Sequence, residues 1–166
     1  FELQLNKMSV SGALFDMIKL LDVGKTVISM FTAEEVYEKS LEWANKYDNE
    51  LKDMLKDKEY ALKIFSIERG NKKPRKDISK WSEVKENIEY MYDEKFLNKE
   101  LSGELGYAKE VKEFKANPEA YKAHVGDVST VIRVALTGRT NTPDMYEIMK
   151  VLGKDSIEKR LKMAMK

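Results

Sequence analysis

A chain of 166 residues, 42% hydrophobic and 36% charged, can bury the core of one ordinary domain or of two small ones. Its 30 basic and 29 acidic residues nearly cancel to a net charge of +1, so overall charge signals neither nucleic acid nor membrane and leaves open only a local basic patch. The absence of cysteine excludes disulfides, thiolate catalysis and Cys-based zinc, and the single His124 excludes a histidine-cluster metal site.

Taken in chain order, the elements are helical. Thr32-x-x-Glu35 reads as a capping box. Behind it Val36, Trp43, Tyr47, Leu51 and Met54 recur at steps of three, four or seven, which predicts one amphipathic helix to about Lys56. Glu59 to Ile67 predicts another, ended by Gly70. "GNKKPRKD", from Gly70 to Asp77, reads as a basic loop punctuated by Gly70 and Pro74. Trp81, Val84, Ile88 and Met91 restart the 3.6-residue period in a helix ending near Glu94.

The second half repeats the pattern. Asn117-Pro118 opens a short helix that Gly126 stops. Asp127 caps the next, which carries Val131, Val134 and Ala135 and stops at Gly138. Thr142-Pro143 starts a further helix through Ile148, Val151 and Leu152 to Gly153. Asp155 or Ser156 caps a last one carrying Ile157, Leu161 and Met165. No alternating strand pattern stands out, so the fold class is all-α, in two helical lobes joined near Lys95 to Gly103.

Several motifs suggest chemistry and fall short of it. Gly24-Lys25-Thr26 resembles the end of a P-loop, but Lys19 stands where that motif needs its first glycine and no apolar strand precedes it; a loop between helices is expected. Lys7 to Ser11 resembles the ATP-phosphate loop of class I aminoacyl-tRNA synthetases, yet Val10 replaces the second lysine and no βαβ unit accompanies it. His124, without a nucleophile or fixed carboxylate beside it, reads as a cation near a helix C-terminus.

Two segments read better as ligand surfaces. Lys72-Lys73-Pro74-Arg75-Lys76 packs four cations into five residues with Trp81 close behind. Lysines there can neutralise phosphates and an arginine fork can meet a base edge, although a solvated charged loop explains the run equally well. In "IRVALTGRTNTPDMYEIM", Arg133 lies on a helix and Arg139 in the turn before a helix start, where unpaired N–H groups suit phosphates or base acceptors; a plain helical connection is the bland alternative.

"KKPRKDISKWSEVKENIEYMYDE", followed by "GDVSTVIRVALTGRTNTPDMYEIMKVLGKDSIEKRL", resembles the C-terminal half of bacterial glutamyl-tRNA synthetase. The opening "NKMSVSGALFDMIKLLDVGKTVISMFTAEEV" is similar to the segment leading out of that family's catalytic half, with Phe15, Asp16, Lys19 and Leu20 matching. Lys7 to Ser11 is then a look-alike, because the family's ATP loop lies upstream. The resemblance implies a connecting segment over 1–31 and helical anticodon-binding subdomains over 32–94 and 95–166. The stretch from Asp93-Glu94 to Gly126-Asp127 is short for the family by about one helix.

By the same resemblance, Arg75 matches the arginine that reads an anticodon base, with Pro74 and Lys73 beside it. Thr142, Pro143 and Met145 match the turn and helix start that also contact the anticodon, and Thr130 and Arg133 match further positions facing it. Lys72, Lys76 and Arg139 are expected on phosphates. The implied partner is glutamate tRNA, with glutamine tRNA as a second candidate, and neither DNA nor membrane. ATP and magnesium would serve the parent ligase, with no cofactor and no catalytic residue in this part. A cytoplasmic monomer is expected. No apolar run approaches the ~18 residues of a membrane span, no leader pattern is present, and the start at Phe1 suggests a piece of a longer protein. The alternative is a helical protein-interaction module without RNA binding, which exposed Trp43, Tyr90 or Tyr92 on one patch would favour.

Overall fold

The computed structural model describes residues 16–96, 116 and 125–165. Among them there are helices and turns and no strand, in agreement with the all-α expectation. Lys7 to Ser11, Asn117-Pro118 and His124 lie outside the described residues.

Helix α1 (Met17–Ser29) starts at Asp16, whose carboxylate accepts from the N–H groups of Ile18 and Lys19. Gly24-Lys25-Thr26 therefore lies inside a helix and not in the expected loop. Gly24 has a packing reason: a Cβ there would sit 2.4 Å from the Ser79 carbonyl oxygen, so α1 reaches the 79 loop only without a side chain. Arg69 ties the far end of α1 down, donating from Nη1 to the carbonyls of Ile28 and Phe31 and from Nε to that of Phe65.

Helix α2 (Ala33–Tyr47) begins with both halves of the capping box: Glu35 N–H donates to Thr32 Oγ1 at 3.2 Å, and Thr32 N–H donates to Glu35 Oε2 at 2.8 Å. The expected run to Lys56 breaks at Asp48 (φ −148°), which ends α2 and caps α3 (Asn49–Met54) by accepting from Glu50 and Leu51. The apolar period spans both helices because the break costs it only one residue. Tyr47 is exposed; Val36, Tyr37, Ser40 and Ala44 form the buried face instead. Helix α4 (Lys58–Ser66) packs against α2 and ends at Ser66, earlier than expected, with Gly70 (φ +78°) in the loop beyond.

The segment from Trp81 to Met91 is less regular than its period suggests. A short helix α5 (Val84–Ile88) is flanked by 3-10 turns at Trp81–Glu83 and Glu89–Met91. Val84, Ile88 and Met91 are fully buried all the same, since 3-10 and α spacing put i, i+3 and i+4 on nearly one face.

Helix α6 (Val125–Thr137) runs through Gly126 and Asp127, so neither is the expected stop or cap. It ends as expected at Gly138 (φ +68°). Helix α7 (Met145–Ala164) starts later than Thr142: Asp144 is its cap and accepts from Glu147 N–H at 3.0 Å. Gly153 breaks it with φ +75° and ψ 165°, a conformation open essentially to glycine alone.

Beyond Gly153, Ile157 and Leu161 of the expected Ile157–Leu161–Met165 row are half-buried. Met165 is exposed, and Arg160 is completely buried. Arg160 donates to the carbonyls of Tyr90 and Leu136 and to Asp93, which also accepts from Ser156, and its guanidinium lies 4.2 Å from the centre of the Phe96 ring. One buried cation thus binds α6, α7 and the 90–96 segment together. Ile148 of α7 joins the main core with Leu51, Leu55, Phe65 and Ile78, so apolar packing also crosses between the sequence halves. Each such fully buried side chain contributes roughly 1.5–3 kcal/mol.

Candidate nucleic-acid interface

A cleft of about 340 Å³ opens where the 68–77 loop meets the turn between α6 and α7. Arg75, Lys76, Arg139, Thr142 and Pro143 line it, five residues expected at an RNA site, drawn from segments far apart in sequence. The other walls come from Glu68, Asp77, Asn87, Tyr90 and Asn141.

The loop that carries Arg75 is closed at its base. Glu68 adopts a left-handed conformation (φ +53°), and its carbonyl accepts from Arg75 N–H at 3.1 Å. A non-glycine residue held there is uncommon and costs free energy that surrounding contacts must offset. The Arg75 guanidinium pairs with Asp77, Nη2 to Oδ2 at 2.6 Å, with only 9% of the arginine side chain exposed. Asn87 of α5 donates to the Asp77 carbonyl, fixing that end of the loop. Lys76 turns outward and donates to Thr26 Oγ1 of α1 at 3.1 Å. Lys72 and Lys73 are exposed, with Pro74 half-buried between them and Arg75.

On the opposite wall, Arg133 underpins the turn. Its Nη1 donates to the carbonyls of Thr142 (3.1 Å) and Pro143 (3.0 Å) and to Thr142 Oγ1. Thr142 Oγ1 also lies 3.7 Å from Met145 Sδ, and Met145 packs on the core. Arg133 and Met145 thus sit behind Thr142 and Pro143, outside the cleft lining. Thr130 is half-buried one turn before Arg133 on α6. Arg139 lies over the Tyr90 ring at 4.9 Å, donates to the Glu86 carbonyl and stands 4.0 Å from Glu89. Burial raises the pKa of Tyr90, so its phenol stays neutral.

The arrangement mixes cations (Arg75, Lys76, Arg139) with carboxylates (Glu68, Asp77) and amides (Asn87, Asn141). Such a lining suits a polar planar edge better than a bare phosphate. Asp77 belongs to the quoted "PRKD" loop but carried no expected role; Tyr90 reads in the sequence only as one more apolar position. Among the described residues no group of acidic or histidine side chains could hold a metal, and no helix is long and apolar enough to cross a membrane. Trp43 and Tyr92 are half-buried and Tyr90 is buried, so these three form no exposed aromatic patch.

Fold and cleft together define an all-helical module with a polar cleft between the 68–77 loop and the turn joining α6 to α7. Residues 35–165 match the family model described as an anticodon binding domain, and the chain belongs to that family. It is 38% identical to a glutamate–tRNA ligase of Clostridium perfringens (strain SM101 / Type A) over 98% of its own length and 37% of the relative's. The ligases of Acetivibrio thermocellus and Sorangium cellulosum are 37% and 35% identical, with 97% of this chain aligned in each. The chain therefore spans little more than a third of the curated relatives it matches. The first alignment is 204 positions long against 166 residues here, so that relative carries residues without a counterpart in this chain. No solved structure matches.

Proposed function

We propose that this chain is the anticodon-reading part of a glutamate–tRNA ligase, with glutamate tRNA as its partner and glutamine tRNA as a second candidate. The convergence of Arg75, Arg139, Thr142 and Pro143 on one cleft carries the proposal. Arg75 meets a base edge, Thr142 and Pro143 shape the facing wall, and Arg133 with Met145 holds that wall in place. Lys72, Lys73 and Lys76 supply phosphate contacts from the loop, and Thr130 extends the surface along α6. In the parent enzyme ATP and magnesium would act in the remaining part, leaving this one non-catalytic and without a cofactor. The division into 1–31, 32–94 and 95–166, a monomeric state and a cytoplasmic location belong to the same proposal.

The test is binding of the 166-residue chain to glutamate, glutamine and unrelated tRNAs across a salt series. Preference for the first or second, lost on an anticodon-swapped transcript, is the expected result. Equal weak binding that salt abolishes would refute base reading.

A second reading has its own observation. Met17, Leu20, Val23, Val27 and Met30 form an exposed apolar stripe along α1, outside the family-matched residues 35–165. A protein contact on that face, within the parent or with another chain, is compatible with RNA binding elsewhere. Val27→Asp would leave RNA affinity unchanged under this reading.

A further inference from the structure

Arg139 reads in the sequence as a phosphate ligand, but its surroundings fit a different task. A phosphate-binding arginine presents free N–H groups to the ligand, frequently two at once. Here the backbone of Arg139 is fixed to Thr137, whose Oγ1 accepts from Arg139 N–H at 3.2 Å, directly after the Gly138 turn. Its guanidinium lies 4.9 Å from the Tyr90 ring centre, and Nη2 is engaged by the Glu86 carbonyl with Glu89 beside it. The side chain is nevertheless 31% exposed and forms part of the cleft lining.

We infer that Arg139, seated on Tyr90, is a stacking platform on which an unpaired nucleobase lies while Arg75 across the cleft meets its edge. This deepens the proposed function and rests on it. A guanidinium is planar and weakly hydrated, so a base can lie on one face while an aromatic ring supports the other. The Tyr90 phenol is buried and neutral, and the ring's negative face holds the cation in place before the ligand arrives. Glu86 and Glu89 fix the in-plane orientation. Both arginines line the same cleft, whose volume is about 340 Å³. Arg139 is then a specificity-determining residue through geometry: it sets the height at which the base edge faces Arg75.

The platform and the phosphate ligand respond differently to one substitution. Arg139→Lys keeps the charge but removes the plane. Stacking therefore predicts about a ten-fold loss of affinity for an RNA stem-loop carrying the glutamate anticodon, with the salt slope nearly unchanged. The same variant and the unsubstituted chain bind equally once the stacked nucleotide is replaced by an abasic one, scanned over the three anticodon positions. If Arg139→Lys binds like the unsubstituted chain while Arg139→Ala lowers the salt slope by about one, Arg139 is a phosphate ligand and the inference falls while anticodon reading stands. If the unsubstituted chain does not distinguish the glutamate anticodon loop from an unrelated one, the underlying reading falls as well.

Discussion

Arg75 and Asp77, two residues apart in the chain, form a largely buried ion pair at the cleft, 2.6 Å from Nη2 to Oδ2. The pair is incompletely satisfied: Arg75 Nε and Asp77 Oδ1 are buried with no hydrogen-bond partner among the described residues. Such atoms cost stability, so their persistence at the cleft calls for a reason. Asp77 holds the guanidinium; the proposed base reading uses it.

Removing either partner leaves the other charge buried and unbalanced. Asp77→Ala should lower unfolding free energy by about 3 kcal/mol, and Arg75→Ala by a similar amount. The double variant should recover part of that loss, which urea titration of all four chains would measure. Additive losses would mean the pair is not coupled. In binding, Arg75→Ala should cost about 1–3 kcal/mol and relax preference at one anticodon position.

The lysines of the loop divide into two groups. Lys72 and Lys73 are exposed, whereas Lys76 donates to Thr26. Lys72→Ala and Lys73→Ala should each weaken binding of cognate and non-cognate tRNA alike and reduce the salt slope by about one. Lys76→Ala should change the slope less, because its ammonium already has a partner. Salt titrations of the three variants decide it; identical slopes would contradict the division.

The buried Arg160 makes the packing of α6 and α7 sensitive to acid through Asp93. Burial of the Asp93 carboxyl opposes its ionisation. Hydrogen bonds from Ser156 and Arg160, with the Arg160 charge, outweigh this and hold its pKa below the usual aspartate value. A carboxyl depressed in the folded state contributes stability that is fully present above its unfolded pKa and lost as pH falls through the folded one. Urea midpoints should therefore drop more steeply below about pH 4 in the unsubstituted chain than in Asp93→Asn. Parallel acid limbs would exclude Asp93 as the cause. Arg160→Ala should cost about 3–5 kcal/mol at neutral pH, since it strands a carboxylate and two carbonyls.

Gly24→Ala sets two effects against each other. Alanine is the better helix former by up to about 1 kcal/mol. Its Cβ would lie 2.4 Å from a backbone oxygen of Ser79, so α1 must shift. Overpacking of this kind costs about 1–3 kcal/mol and should prevail, lowering the thermal midpoint. A raised midpoint would show that α1 is not held against the 79 loop.

What the sequence determined by itself is what local chemistry decides. Thr32 and Glu35 satisfy each other across one turn, Gly138 and Gly153 take backbone conformations open to few other residues, and the apolar period from Val36 to Met54 commits that stretch to helix. The resemblance singled out Arg75, Thr142 and Pro143, and a single cleft unites them. Local signals erred where two answers were nearly equal in free energy. Asp48 can sit within a helix or cap one, and here it ends α2 and caps α3. Only the tertiary structure decided that Arg160, polar in any sequence reading, is completely buried, because its partners Asp93, Tyr90 and Leu136 lie 67, 70 and 24 residues away. It also decided that Arg139 rests on Tyr90 and that Asp77 holds Arg75. Burial and charge pairing depend on which surfaces meet in space, and no periodicity along the chain encodes that meeting.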